Sequence, residues 1–279
     1  MSRETRVETG SQTVTLVEDP AQPGAFLVRI GDTDQSYVDL ADPLRLEFDY
    51  VQRIADVIDE IAPEGARMRV VHVGGAALTL PRYVAATRPS SAQIVLEPDE
   101  ELTMLVREQL PLPRRSGIKV RATDGRSGIA AMRDDFADLV IVDAFVGARV
   151  PPELTTTEFL TDVRRVVGST GAVVINVTDQ GRLGYSKRVL AGVAAVFDHA
   201  VYGAEPATLK GRRFGNVIIT GSEAPLPEAA LIRRAAGSMF PYRVLTGTQQ
   251  SRFVGGAKPF TDEDAEASPD PVTGGAHFG

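Results

Sequence analysis

The sequence predicts an α/β fold, a mostly parallel sheet with helices on both faces, preceded by a small antiparallel β unit. Three observations predict it. Five short apolar runs alternate with segments of helical spacing between residues 68 and 197, the order of consecutive βα units. A glycine pair, Gly74–Gly75, follows the first run directly, and single acids close later runs. Near the end, two more strand-like runs follow each other with no helical pattern between them, which suits an antiparallel hairpin.

Composition narrows the chemistry. The chain has 279 residues, enough for one large α/β domain with an appendage. It has no cysteine, which excludes disulfides, thiolate metal sites and cysteine nucleophiles. His72, His199 and His277 are its three histidines, too few for a multi-histidine site, so no metal is expected. The net charge is −7, and five acids against Lys258 put −4 of it on the last 25 residues. This argues against a basic nucleic-acid surface. MSRETRVETG lacks the apolar core of a signal peptide, and the most apolar run, Val189–Phe197, is too short to span a bilayer. A cytoplasmic protein with no membrane partner is the expectation.

In chain order, Thr13–Val17, Ala25–Ile30 and Gln35–Leu40 read as strands, with Pro20, Pro23 and Gly24 as a turn cluster, giving a β unit over residues 1–41. A helix is expected from Asp42–Pro43 to about Ile61, with proline at its first position. The alternation follows: strand Met68–Val73 and a helix from Pro81; strand Gln93–Leu96 and a helix from Asp99; strand Ile118–Ala122 and a helix near Ser127. Strand Asp138–Val142 precedes a helix from Thr156, and strand Ala172–Val177 a helix from Ser186. Ala200–Gly203 and Asn216–Thr220 form the closing hairpin, joined by a loop, and Glu228–Ala236 is a last helix. This ending fits the S-adenosylmethionine type of Rossmann-like sheet better than the nicotinamide type. Residues 42–240 make up that domain. Residues 241–279 are an acidic extension, expected to be disordered from about residue 255 because Gly, Pro, Asp and Glu dominate it.

Candidate site residues stand where the predicted strands end. Gly74 and Gly75 let the backbone approach a nucleotide at a helix start, but GGAALT lacks the spaced glycines of a dinucleotide fingerprint. Glu97 follows the second strand, 23 positions after Gly74, where an acid accepts hydrogen bonds from both ribose hydroxyls; the alternative is a solvent-facing acid opening a helix. Asp124, in Thr123–Asp124–Gly125, can accept the amine of adenine or simply form a turn, with Gly125 permitting the tight geometry. Asp143 ends the fourth strand and can hold an amine nucleophile or take its proton. Asn176 either lines the pocket or satisfies sheet-end backbone, and the second is preferred. Tyr50 is core or reaches a substrate amine, Gln35 is equally open, and His72 is expected to be packed in the core.

In this order and spacing, Gln35, Glu47-Phe48-x-Tyr50, VVHVGG, LEPD, TDGR, VIVD and FGNVIITGS resemble the spermidine synthase (polyamine aminopropyltransferase) family. The resemblance runs from about Gln12 to Ser222. It implies an N-terminal β unit joined to a class I methyltransferase-like domain. It also implies transfer of an aminopropyl group from decarboxylated S-adenosylmethionine to a small-molecule amine such as putrescine. Glu97 would hold the ribose, Asp124 the adenine and Asp143 the attacking amine, and homodimers or tetramers are implied. Three positions depart from the family. Its GGGDGG loop is here Gly74-Gly75-Ala76-Ala77-Leu78; its D-S-x-D-P loop is Asp143-Ala144-Phe145-Val146-Gly147; its Tyr-His-Glu is Tyr50-Val51-Gln52. Each departure removes a carboxylate that a polyamine cation needs, because burying an unpaired ammonium costs several kcal/mol. S-adenosylmethionine as donor for a methyltransferase, or a noncatalytic nucleoside-binding role, therefore stand as alternatives.

Overall fold

The computed structural model of the chain describes residues 4–9 and 12–271. His277 and the rest of 272–279 lie outside them, as do residues 1–3 of the opening decapeptide.

Four strands open the chain: β1 (Glu4–Glu8), β2 (Thr13–Glu18), β3 (Ala25–Ile30) and β4 (Thr33–Asp39). They pair antiparallel in chain order. β1 was not expected, because ETRVE is mostly charged; such a strand survives as a solvated edge. The opposite face of the sheet is apolar. Val14, Leu16, Val28 and Val38 pack with Ala77, Leu78, Val95 and Leu102 of the following domain, so the β unit rests directly on the glycine loop.

Helix α1 (Asp49–Ile61) begins later than expected. Asp42–Pro43 makes a turn instead: the Asp42 carboxylate accepts from Leu44 N–H at 3.1 Å, and its carbonyl accepts from Arg45 N–H at 3.0 Å. Aspartate bonding to the backbone two residues on favours a turn over a helical start.

The alternation then runs β5 (Arg69–Val73), α2 (Thr79–Thr87), β6 (Ala92–Leu96), α3 (Glu100–Gln109), β7 (Ile118–Arg121) and α4 (Gly125–Ala130). It continues with β8 (Leu139–Val142), α5 (Thr157–Val167), β9 (Ala172–Asp179), α6 (Gly184–Val196) and β10 (His199–Ala204). After the short helix α7 (Pro206–Leu209) come β11 (Gly215–Ser222), α8 (Glu228–Gly237), β12 (Arg243–Leu245) and α9 (Gly247–Val254). The second sheet has the order β12-β10-β11-β9-β8-β5-β6-β7. β5 to β9 are parallel to their neighbours among themselves, and β11 runs antiparallel between β9 and β10. The expected Rossmann-like sheet with its antiparallel hairpin is therefore present. α7 occupies what the sequence suggested was plain loop, and β12 and α9 were missed because both are short and half-polar.

Both faces of the sheet are covered. Val71, Val73, Val140, Val142, Val173 and Ile175 face α5 and α6, while Val70, Leu139, Ile141 and Val174 face α1 and α2. Along these strands alternate residues serve opposite layers, as the two-residue period requires.

The expectation of disorder from residue 255 is corrected as far as residue 271. Phe260 and Ser268 are fully buried, and Phe260 lies 5.3 Å from the Tyr185 ring. Composition registers the acids but not one aromatic anchor. Among the described residues no helix is long and apolar enough to cross a membrane, and no group of three or more His, Asp or Glu is placed to hold a metal.

Candidate functional site

The glycine loop and the end of β8 meet above the sheet. Gly74 N–H donates to Leu96 O at 3.0 Å, and Asp143 N–H donates to Val73 O at 2.9 Å. Gly74 has φ +92°, and a Cβ there would lie 2.3 Å from Asp143 O, so no other residue fits without moving the acid. Ala76 (φ 37°) and Leu78 (φ 64°) are also left-handed, a conformation that costs a non-glycine residue about 1–2 kcal/mol. Leu78 opens α2 with no side-chain cap.

A cleft lies around this junction. Gln35, Tyr50, Gly74, Gly75 and Asp143, five of the residues singled out from sequence, all line it. His72, Thr79, Ile141 and Phe145 line it too, and an adjoining recess adds Asp34, Ala148 and Asn216. Tyr50, on α1, reaches the carbonyl of Gln35 at 3.5 Å, a long contact. Burial raises its phenol pKa well above the ordinary value, and the nearby Asp143 charge adds to the shift.

Asp143 is half-buried, and burial raises its carboxyl to about 6. One bond opposes that rise: Asn176 Nδ2 donates to Asp143 Oδ1 at 2.9 Å. Asn176 is itself fully buried, and its Oδ1 accepts from Asn216 Nδ2 at 3.0 Å. The preferred sequence reading of Asn176, backbone satisfaction, is thus replaced by an Asn216–Asn176–Asp143 relay. The available signal was a lone amide inside the apolar run VVINV, with a second amide in the pairing strand.

Glu97 sits beside the cleft. Its Oε2 accepts from Gly75 N–H at 3.1 Å and its Oε1 from Asp99 N–H at 3.0 Å. Burial raises its pKa and outweighs these bonds, which lower it. A carboxylate has about four lone-pair sites, so acceptor capacity remains beyond the backbone bonds from Asp99, Gly75 and Ala76.

Asp124 and Gly125 lie further along, after β7. Asp124 is exposed and caps α4 by accepting from Ser127 N–H at 2.8 Å; the backbone bonds hold its carboxyl below the usual range. Gly125 is a packing requirement, since a Cβ there would lie 2.2 Å from Val73 Cγ1.

His72 is buried as expected. Its Nε2 lies 2.9 Å from Gln93 Oε1, and desolvation lowers its pKa to about 4, so the ring is neutral and donates.

The three departures have structural counterparts. Ala77 is fully buried under the β unit, with its N–H on Ser36 Oγ at 3.4 Å. Val146 is 74% exposed. Gln52 donates to Leu46 O at 2.6 Å. Two acids elsewhere in the chain do not replace them: Asp49 pairs with Arg53, and Glu158 accepts from Asp262 N–H. Among the described residues lining the main cleft, Asp143 is the single carboxylate, and Asp34 in the adjoining recess is paired with Arg29 at 2.8 Å.

No protein-family model matches the chain. The fold superposes on a "probable spermidine synthase" from Corynebacterium glutamicum with a TM-score of 0.86 and 31% identity, covering 92% of this chain and 96% of that one. At 14% identity it shares the fold of spermidine synthase from Thermotoga maritima (TM-score 0.58, covering 93% of this chain and 81% of that one). At 19% it shares that of human methyltransferase-like protein 13 (TM-score 0.51, 76% and 93%). Polyamine aminopropyltransferase of Vibrio vulnificus is 26% identical over 164 residues, 57% of this chain. The match spans only about half of that relative's length, 53%.

Proposed function

Because this chain belongs to the spermidine synthase family, we propose that it transfers an aminopropyl group from decarboxylated S-adenosylmethionine to a small-molecule amine. The observation that carries this is Asp143, held by Asn176 at the carboxyl end of β8 in a cleft shared with Tyr50 and the glycine loop. Ligands of open α/β sheets bind at these carboxyl ends.

In the proposed reaction the amine lone pair attacks the carbon next to the sulfonium. The carbon–sulfur bond breaks, its electrons return to sulfur, and methylthioadenosine leaves as a neutral thioether. The amine must first lose a proton. A carboxylate with its pKa near 6 accepts that proton near neutral pH, or holds the ammonium until water removes it. Glu97 would bind the ribose hydroxyls with its remaining lone pairs, and Gly74 and Gly75 would admit the nucleoside to the sheet. Asp124 would meet adenine while capping α4. Gln35 and Tyr50 would flank the transferred group. The reaction needs alignment more than chemistry: attack along the breaking bond, with water kept out.

A second reading, methyl transfer from S-adenosylmethionine, is favoured by one specific observation. The main cleft offers a single carboxylate beside Ile141 and Phe145, which suits a less cationic acceptor than a diamine.

Calorimetry with decarboxylated S-adenosylmethionine, S-adenosylmethionine and methylthioadenosine, followed by product analysis with putrescine, separates these readings. Aminopropyl transfer is expected with the decarboxylated donor. Methyl transfer alone would move the assignment to the second reading, and tight methylthioadenosine binding without turnover would leave a noncatalytic nucleoside-binding protein. Binding of none of the three would sink every one of them.

A further inference from the structure

We propose that the C-terminal segment 257–270 is a positioning strap for the candidate site, with Ser268 and Arg149 seating the loop that follows Asp143. The catalytic consequence rests on the Asp143 reading above; the structural one does not.

The segment is polar and acidic, yet it is pinned at two buried points. At the first, Phe260 is fully buried against α5 and α6. Its carbonyl accepts from Thr157 N–H at 2.9 Å, and the Arg188 guanidinium lies 3.8 Å from its ring centroid. At the second, Ser268 is fully buried and bonds the backbone of Val150 in both directions. Val150 N–H donates to Ser268 Oγ at 2.9 Å, and Ser268 N–H donates to Val150 O at 3.3 Å. Ser268 Oγ also lies 3.1 Å from Thr178 Oγ1.

Residues 144–150 form an arch with two feet. The near foot is Asp143, tied to Val73 of the sheet. The span is a tight turn in which Val146 N–H donates to Arg149 O at 2.8 Å, with Gly147 and Ala148 both left-handed. Phe145 and Ala148 on the span wall the cleft and its recess. The far foot is Val150, and it stands on the tail. Arg149 reinforces it, donating from Nε to Ser268 O at 2.6 Å. On β9, Asn176 holds Asp143 and Thr178, two residues on and on the same face, meets Ser268. One strand therefore registers the acid and the strap together.

The same segment reaches the other side of the site. Arg126, two residues after Asp124, pairs with Asp262 at 2.7 Å and bonds Thr156 Oγ1 at 3.0 Å. That pair is partly exposed and contributes little by itself. The buried anchors hold the strap, and the ion pair orients it.

Two variants test this by hydrogen–deuterium exchange. One ends the chain after Lys258; the other, Ser268→Ala, keeps Phe260 docked and removes only the hydroxyl. Exchange in a peptide covering 144–150 is expected to quicken about tenfold or more in both, with β8 and β9 unchanged in Ser268→Ala. Unchanged protection of that peptide in Ser268→Ala would overturn the proposal, whether or not the shortened chain folds. Where the parent turns over an amine, kcat/KM should fall in Ser268→Ala and the acid limb of the rate profile should move to lower pH, because a loosened arch admits water to Asp143. A profile that stays in place while the rate falls would assign the tail a purely structural role. If the parent shows no turnover, the aminopropyl reading fails and the exchange result still decides the strap.

Discussion

Two carboxylates close the strands that flank β5 on either side and are held in different ways. Glu97, after β6, is fixed by backbone N–H groups from Gly75 and Asp99. Asp143, after β8, receives a side-chain amide from Asn176, which is itself oriented by Asn216. The backbone-held acid is set wherever the loop forms. The acid held by side chains depends on two other strands arriving in register, and burial leaves it raised to about 6. On the proposed reading the acid held by the backbone serves binding, and the other, raised to about 6, moves or holds a proton.

The largest expected effect probes Asp143. Asp143→Asn should lower transfer by about 10²–10⁴-fold, the usual weight of a general base, while methylthioadenosine affinity holds in calorimetry. Its sign on stability is opposite. Between about pH 4 and 6 the native chain retains a proton that the unfolded chain has released, so Asp143 lowers stability as pH rises through that window. Asp143→Asn should therefore unfold at higher denaturant above pH 6, by about 1–3 kcal/mol. Full activity would remove Asp143 from the mechanism.

Next, Glu97→Ala should weaken methylthioadenosine binding by about 10–100-fold, the loss of hydrogen bonds to a charged acceptor, with the fold intact by circular dichroism. Unchanged affinity would put the ribose elsewhere and dissolve the contrast between the two acids.

Asn176→Ala sharpens it. Without the amide that lowers its pKa, Asp143 should titrate higher, so the acid limb of activity should move above its parent position. Stability should drop by about 1–3 kcal/mol, since a buried partner is left unsatisfied.

The smallest effect concerns Asp124. Losing the α4 cap in Asp124→Ala should cost about 1 kcal/mol, whereas Asp124→Asn retains the cap. If both variants bind nucleoside like the parent, the side chain only caps.

Much of this was legible beforehand because its causes are local. The alternation of apolar runs marked the strands, and the acids stood where the runs stopped. Gly74 could be read as a close-approach glycine from its place after β5. Asp42–Pro43 misled because proline suits a helix start and a turn equally, and the Asp42 side chain chose the turn.

Sequence alone determined the βα order, the antiparallel ending, the glycine loop and the strand-end carboxylates, since periodicity and backbone sterics act over a few residues. The tertiary structure alone decided who holds Asp143 and what the tail does. Asn176 and Asp143 are 33 positions apart, Asn216 and Asn176 are 40 apart, and Val150 and Ser268 are 118 apart. A hydrogen bond depends on ångström separation, and spacing along a chain carries no measure of that until the sheet has formed.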